Sequence, residues 1–367
     1  MENTPPILVK TASGECPVFV RNGALRSLGE IAARRVRGRT ARVVTDSNVA
    51  PLHLDAALSS LRAAGFAAGA SVVPAGEASK NLARLAALWD DFHAAGITRR
   101  DLVVALGGGV VGDLAGFAAA TWLRGVAVIQ APTSMLAFVD SSIGGKTAID
   151  LPCGKNLAGA FHQPVAVVAD PLALRTLPPR ELAQGMAEAV KTACILDAAF
   201  FARIESFAGR APTDDEQEDV IRRCAAAKAD VVSRDEKEGG LRAILNFGHT
   251  VGHALETIFG YGTVPHGEAV AVGMVAAAKL GVALGVTPAG LPDRIERLLR
   301  ALSLPTRVAD LPDGPARCTP DAVAAAMLSD KKKLGADIHF VLLEALGRAT
   351  VEPLRPAAIR EKLPSIL

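Results

Sequence analysis

The chain predicts an α/β nucleotide-binding domain followed by an all-helical domain, on three observations. Residues 1–175 alternate short β-branched runs with Ala/Leu/Arg-rich helical stretches, the pattern of a mainly parallel sheet with helices packed on its faces. Thr176-Leu-Pro-Pro-Arg180 interrupts that alternation, since proline cannot continue a regular element. From Arg180 onward helical periodicity dominates, so the domains are expected at 1–175 and 176–367.

Taken in order, the expected strands of the first half are 17–21, 41–45, 70–73, 102–106, 126–131 and 166–169, each a short apolar run rich in Val, Ile or Ala. Helices are expected between them at 25–35, 52–64, 81–95 and 112–122. In such sheets ligands bind at the carboxyl ends of the strands. In the second half, apolar residues at helical spacing predict helices over 180–196, 199–207, 214–234, 248–259, 268–284, 292–301 and 320–332. A late strand over 338–343 either closes a short hairpin or packs alone. No internal repeat or low-complexity run is visible.

With 367 residues, half of them hydrophobic and 4% aromatic, the chain can bury two large cores. Forty basic against 38 acidic residues leave a net charge of +2, too small a field to favour nucleic acid or a membrane surface as partner. Cys16, Cys153, Cys194, Cys224 and Cys318 are scattered, odd in number and never in a C-x-x-C pair, which argues against a disulfide framework. Met1-Glu-Asn-Thr-Pro-Pro lacks a signal-peptide profile, and the apolar run 269–278 is too short to span a bilayer. A cytoplasmic enzyme is the expectation.

The strand 102–106 runs directly into Gly107-Gly108-Gly109-Val-Val-Gly112-Asp113 and then a helix. Glycines there permit a tight turn and close backbone approach, and a helix N-terminus favours a pyrophosphate. The acidic residue that usually follows about twenty positions on is missing. Asp46, at the end of the 41–45 strand, is the best substitute for holding a ribose hydroxyl. A second glycine turn, Asp140-Ser-Ser-Ile-Gly-Gly-Lys146-Thr147, ends like a P-loop. Its first position holds aspartate, which would set negative charge against phosphate, so a P-loop NTPase is not expected. Lys146 remains a candidate for a substrate phosphate or carboxylate.

Three distant segments supply candidate metal ligands: Glu188 in Gly-Met-Ala-Glu-Ala-Val-Lys191, His249 in Asn246-Phe-Gly-His-Thr-Val-Gly-His253, and His266 in His-Gly-Glu-Ala. Two imidazoles and a carboxylate, with one coordination position open, suit a catalytic zinc. Glu188 and Lys191 share a helix face, as do His249 and His253. That second pair could itself bind zinc, though the H-E-x-x-H protease pattern is absent. Such a set would accept cobalt as well as zinc.

With these residues assembled, the chain resembles the 3-dehydroquinate synthase family. The likeness runs from Asp46-Ser-Asn48 to Asp330-Lys-Lys-Lys333 and is densest over 107–124, 132–164, 181–191 and 242–274. It implies NAD and zinc as cofactors, a site between the two domains, a homodimer, and a phosphorylated sugar acid as substrate. The metal ligands it implies are Glu188, His249 and His266. The implied NAD contacts are Asp46, Asn48, Glu77, Lys80, Gly107, Gly108, Gly109, Asp113, Thr133, Ser134, Lys146, Lys155 and the segment Leu172, Ala173, Leu174, Arg175 and Thr176. Substrate contacts fall on Arg124, Asp140, Lys155, Asn156, Lys228, Lys331 and Lys332. Catalytic roles fall on His253, Lys146, Lys191, Arg242 and Asn246.

The implied reaction oxidises the substrate at C5, eliminates phosphate, reduces C5 again, opens the ring and closes it by an aldol step. NAD would be returned unchanged. A cleft lined by Lys and Arg suits a substrate that carries both carboxylate and phosphate. The rival readings are sibling sugar phosphate cyclases, aminodehydroquinate synthase above all, then a metal-dependent polyol dehydrogenase and a non-catalytic metabolite-binding regulator.

Overall fold

The structure, a computed structural model, describes residues 5–12, 14–260, 262–331 and 337–367, without the side chains of 329–331. The chain divides into two compact units, one of residues up to Pro178 together with Thr213–Lys237, the other of Pro179–Pro212 and Glu238–Leu367. The helix Asp214–Arg234, expected in the second domain, therefore belongs to the first. Its capping box, with Thr213 and Glu216 exchanging backbone and side-chain bonds, marks the helix start from sequence. What sequence does not mark is which body the helix packs on. Lys10 N bonds Ser233 Oγ at 2.8 Å and Arg222 bonds the Val20 carbonyl at 3.1 Å.

The first unit is built on strands β1 (Ile7–Thr11), β2 (Gly14–Val20), β3 (Thr40–Asp46), β4 (Ala67–Val73), β5 (Leu102–Gly107), β6 (Ala127–Pro132), β7 (Lys146–Leu151), β8 (Gly154–Phe161) and β9 (Ala166–Ala169). Seven of them form one sheet in the order β1-β2-β9-β6-β5-β3-β4, parallel except for the β1–β2 pair. All six expected strands are present. The strand β1 and the antiparallel hairpin β7–β8 were not foreseen. Sequence patterning is weak in the hairpin because β8 has no β-branched residue and no regular apolar–polar alternation.

Period-two alternation explains the two cores of this unit. Val43, Val104, Leu106 and Ile129 face one side and pack with Leu28, Ile31, Leu58 and Leu61. Their neighbours Val44, Val103, Ala105 and Val128 face the other and pack with Leu85, Leu88, Phe92 and Leu114. A strand buried on both faces must be apolar throughout, which is why β5 reads as an unbroken hydrophobic run. The chain moves from β3 outward to β4, then returns to place β5 on the opposite side of β3. That reversal is the topological switch point at which open α/β sheets bind ligands.

The second unit is helical, with Pro179–Leu196, Ala198–Glu205, His249–Phe259, His266–Ala283, Leu291–Ala301, Pro320–Lys331 and Pro356–Ile366 as its main helices. It is not purely α. Strands β10 (Ile338–Ala345) and β11 (Arg348–Leu354) pair antiparallel, so the late strand closes a hairpin, and a last helix follows it. Leu255, Phe259, Val272, Leu280, Phe340 and Leu363 share one core. No described helix is long and apolar enough to cross a membrane.

Candidate active site

Each unit carries one group of the residues singled out by sequence. In the first, β5 ends at Gly107 and the following helix starts at Gly109, a turn earlier than expected. The helix N-terminus therefore lies within the glycine turn itself, where its unpaired amides favour an anion. Gly107 is required by close approach, since a Cβ there would sit 2.7 Å from Val111 Cβ. The Thr133 amide donates to the Gly107 carbonyl at 3.0 Å, which ties the β6 loop, with Ser134 beside it, to the turn.

The β3–β5 register runs to Val44 beside Ala105, so β3, which ends at Asp46, and β5, which ends at Gly107, finish on the same side of the sheet. The acidic candidate for the glycine turn thus lies on the neighbouring strand. Asp46 accepts the amides of Asn48 at 2.8 Å and Val49 at 3.0 Å, so one carboxylate oxygen also orders its own loop. Thr176 Oγ1 donates to the Ala173 carbonyl at 2.8 Å and lies 3.0 Å from His53 Nε2, which folds Leu172–Thr176 into a compact turn. Arg175 turns to Asp214 instead, with its Nε 3.4 Å from the carboxylate.

Three lysines of this unit are paired with carboxylates. Buried Lys80 donates to Asp113 Oδ2 at 2.5 Å and also contacts the Asn156 side-chain oxygen. Burial pushes the Asp113 carboxyl up, and the Lys80 ammonium opposes that shift. Lys155 lies 3.3 Å from Glu77. Buried Lys228 reaches both the side chain of Asp140, at 2.8 Å, and its carbonyl, at 2.6 Å. Asn156 adopts a left-handed backbone, φ 55°, and its amide bonds Asp150 Oδ1 at 2.9 Å. Lys146 opens β7 at the surface. A strand, not a helix, follows Lys146-Thr147, which rules out the P-loop arrangement. Arg124 is exposed and also left-handed, φ 66°.

In the second unit, Glu188 and Lys191 sit one turn apart on Pro179–Leu196, 1% and 2% exposed, with the ammonium against Glu188 Oε2. His249 opens the next helix through Gly248 at φ 81°. The helix Pro265 precedes, His266–Ala283, packs tightly on that turn, because a Cβ at Gly273 would meet the Gly248 carbonyl at 2.0 Å. That contact joins two of the three segments, and the third comes in at Gly267, where a Cβ would meet the Gln184 carbonyl at 2.4 Å. His249 Nε2 lies 3.6 Å and His266 Nε2 3.4 Å from Glu188 Oε1. The three ligand atoms lie within 4.8 Å of one another. His253 stands beside them, its ring 5.2 Å from that of His249 and 6.0 Å from that of His266.

Burial alone would raise the Glu188 carboxyl, but Lys191, His249 and His266 outweigh it and hold the group well below the usual carboxylate range. Burial, then Lys191, pushes His249 down to about 3, so it is a neutral imidazole. Burial also disfavours charge on His266, yet Glu188 and Glu256 together bring it up to about 10, so its ring carries a proton on each nitrogen until a cation takes the place of the one on Nε2. Neither buried oxygen of Glu188 makes a hydrogen bond of good geometry. A carboxylate left in that state, with two imidazole nitrogens aimed at it, fits a divalent cation.

Arg242 is buried, with its Nε 3.3 Å from Glu238, while Asn246 at the end of the same turn is exposed. Lys331 ends its helix and its side chain lies outside the described residues, as does Lys332 altogether. Sequence reading missed Glu256, whose Oε2 is 3.3 Å from His266 Nδ1. The signal was present, since Glu256 follows His249 by seven positions and His253 by three on one helix.

Residues 70–184 match the family model for the 3-dehydroquinate synthase N-terminal domain, and 185–333 match that for the C-terminal domain. The chain is 48% identical to the 3-dehydroquinate synthase of Symbiobacterium thermophilum over 349 residues, covering 94% of this chain and 96% of that one. Among solved structures, a 2-deoxy-scyllo-inosose synthase complexed with carbaglucose-6-phosphate, NAD+ and Co2+ superposes with a TM-score of 0.87 at 29% identity, over 98% of this chain and 99% of that one. The 2-epi-5-epi-valiolone synthase of Streptomyces hygroscopicus, with NAD+ and Zn2+ bound, gives 0.84 at 26% identity, over 96% of each chain. Both family models and near-complete coverage of a 48%-identical relative lead to one assignment: the chain belongs to the 3-dehydroquinate synthase family.

Proposed function

We infer that the chain catalyses the 3-dehydroquinate synthase reaction, converting 3-deoxy-D-arabino-heptulosonate 7-phosphate to 3-dehydroquinate and phosphate. The observation that carries the choice of reaction is the 48% identity to a dehydroquinate synthase across nearly the whole chain, against 29% to an inosose synthase of the same fold. When bound, NAD supplies a reversible hydride acceptor, and zinc or cobalt supplies Lewis acidity at the oxidised carbon.

Glu188, His249 and His266 are the residues to hold the metal. The glycine turn, Asp46 and the Leu172–Thr176 turn are those to hold NAD, through backbone amides and one carboxylate. Lys146, Lys155, Lys228, Arg124 and Arg242 provide cations for the substrate's phosphate and carboxylate. Lys80 acts at one remove, by fixing Asp113 and Asn156. Lys191 keeps Glu188 ionised and can hydrogen-bond a substrate oxygen, and Asn246 positions the ring. His253 moves the proton of the C5 hydroxyl. Most of the catalysis is positioning, because the elimination and aldol steps need correct alignment more than strong acids or bases. A cytoplasmic homodimer goes with this function, and light scattering on the purified protein tests the assembly.

The decisive experiment follows phosphate release from 3-deoxy-D-arabino-heptulosonate 7-phosphate with catalytic NAD and zinc while recording NADH absorbance. Steady release with 3-dehydroquinate formed and no net NADH is expected. No turnover on this substrate, or stoichiometric NADH, overturns the assignment.

A further inference from the structure

We propose that Glu256 is a positioning residue for the metal-ligand cluster, its carboxylate locking His266 as the Nδ1–H tautomer so that Nε2 is presented toward Glu188 and His249. The role rests on the metal-site reading given above. Glu256 lies on His249–Phe259 and is 8% exposed, with Oε2 3.3 Å from His266 Nδ1. A carboxylate that far from water needs a donor to offset its lost hydration, and the imidazole N–H supplies one.

Comparison of the two imidazoles gives the role its meaning. His249 Nδ1 lies 3.2 Å from the Phe247 carbonyl, so it too donates through Nδ1 and turns Nε2 inward. Both Nε2 atoms then point at the same carboxylate oxygen, at 3.6 and 3.4 Å. For His249 the acceptor is neutral and part of the backbone. For His266 it is a charged side chain, which both orients the ring and increases the electron density that Nε2 offers a cation. His266 also stands first in its helix, preceded by Pro265 in extended conformation, so no upstream helical turn braces its ring. Glu256 is the brace.

A rival use of the same atoms exists, because His253, Glu256 and His266 form a second group whose ligand atoms lie within 4.8 Å. Stoichiometry separates the two. Metal-free wild type, Glu256→Gln and Glu256→Ala would be titrated with Zn2+ against a chromophoric chelator, and their Co2+ forms recorded by visible absorption, with thermal unfolding as a check on folding. The expected result is one equivalent bound throughout, affinity lowered roughly 10- to 100-fold in Glu256→Ala, and a smaller loss in Glu256→Gln, whose amide oxygen still accepts from Nδ1–H. The cobalt bands of Glu256→Ala should shift even at saturation, which a general loss of stability would not produce. Affinities within twofold of wild type for both variants overturn the role, as does a second equivalent in wild type that the substitutions abolish. A wild type that binds no metal defeats the metal-site reading itself. Should Glu256→Ala fail to fold, the isosteric Glu256→Gln decides alone.

Discussion

The two residue groups handle charge in opposite ways. In the first unit each of Lys80, Lys155 and Lys228 has its own carboxylate, from Asp113, Glu77 and Asp140. In the second, one carboxylate, Glu188, faces an ammonium and two imidazoles and makes no good hydrogen bond with any of them. A one-to-one lysine–carboxylate pair is electrostatically complete by itself. A carboxylate shared among three groups, with two imidazole nitrogens converging on one of its oxygens, is an arrangement that a divalent cation can use. The first unit's group is thus charge-balanced pair by pair, and the second unit's group has the charge pattern of a candidate ligand set.

If that contrast holds, the largest effect should come from Glu188→Gln. The substitution removes the shared charge, and metal content should fall below a tenth of an equivalent. Phosphate release should drop roughly 10³-fold, or about 4 kcal/mol of transition-state stabilisation. NAD affinity measured by calorimetry should stay within a factor of two. A matching loss of NAD binding would break the separation of the two groups.

Lys80→Met tests the pairing. It leaves the half-buried Asp113 without its ammonium, which costs about 3 kcal/mol in unfolding free energy measured by urea titration, with metal content unchanged. A cost below about 1 kcal/mol would place the pair among ordinary solvated ones. Gly107→Ala comes next. Its methyl would press on Val111 at 2.7 Å, and forcing the turn open should weaken NAD binding about tenfold, within the 1–3 kcal/mol typical of overpacking. Retained NAD affinity would mean that the amides of this turn do not meet the cofactor.

The smallest effect concerns a carboxylate remote from both groups. Asp101 accepts from the Thr98 amide and hydroxyl and from the Thr40 amide, at 2.9, 2.6 and 3.0 Å. Burial would raise its carboxyl, but these bonds win and lower it. Because the folded value lies below the unfolded one, its stabilisation is present above the ordinary carboxylate range and disappears as pH falls through the folded value. Asp101→Asn should cost about 1 kcal/mol at neutral pH and less in acid, so the wild-type and variant stability curves converge as pH is lowered. Parallel curves would show that the ionised form contributes nothing.

Much of this was legible in the sequence for a definite reason. The β-branched runs and helical spacing are local signals, so all six expected strands form, and the helix over 214–234 falls where it was expected. Residue types carry chemistry directly, which is why Glu188, His249 and His266 could be named as candidate ligands before any distance was known. Residues such as Asp46 and Glu256 are different. Asp46 comes alongside the glycine turn only because β3 and β5 are neighbours across the switch point. Glu256 matters only because Gly273 lets two helices approach until His266 Nδ1 comes within 3.3 Å of it.

By itself, then, the sequence determined the elements, the donor types and the family, since each is written in local spacing or in the motifs themselves. Tertiary structure alone decided that Asp214–Arg234 returns to the first unit, that three lysines there are paired with carboxylates, and that Glu256 stands behind His266. Pairing between distant segments depends on sheet order and on how closely two backbones pack, and neither leaves a periodic trace along the chain.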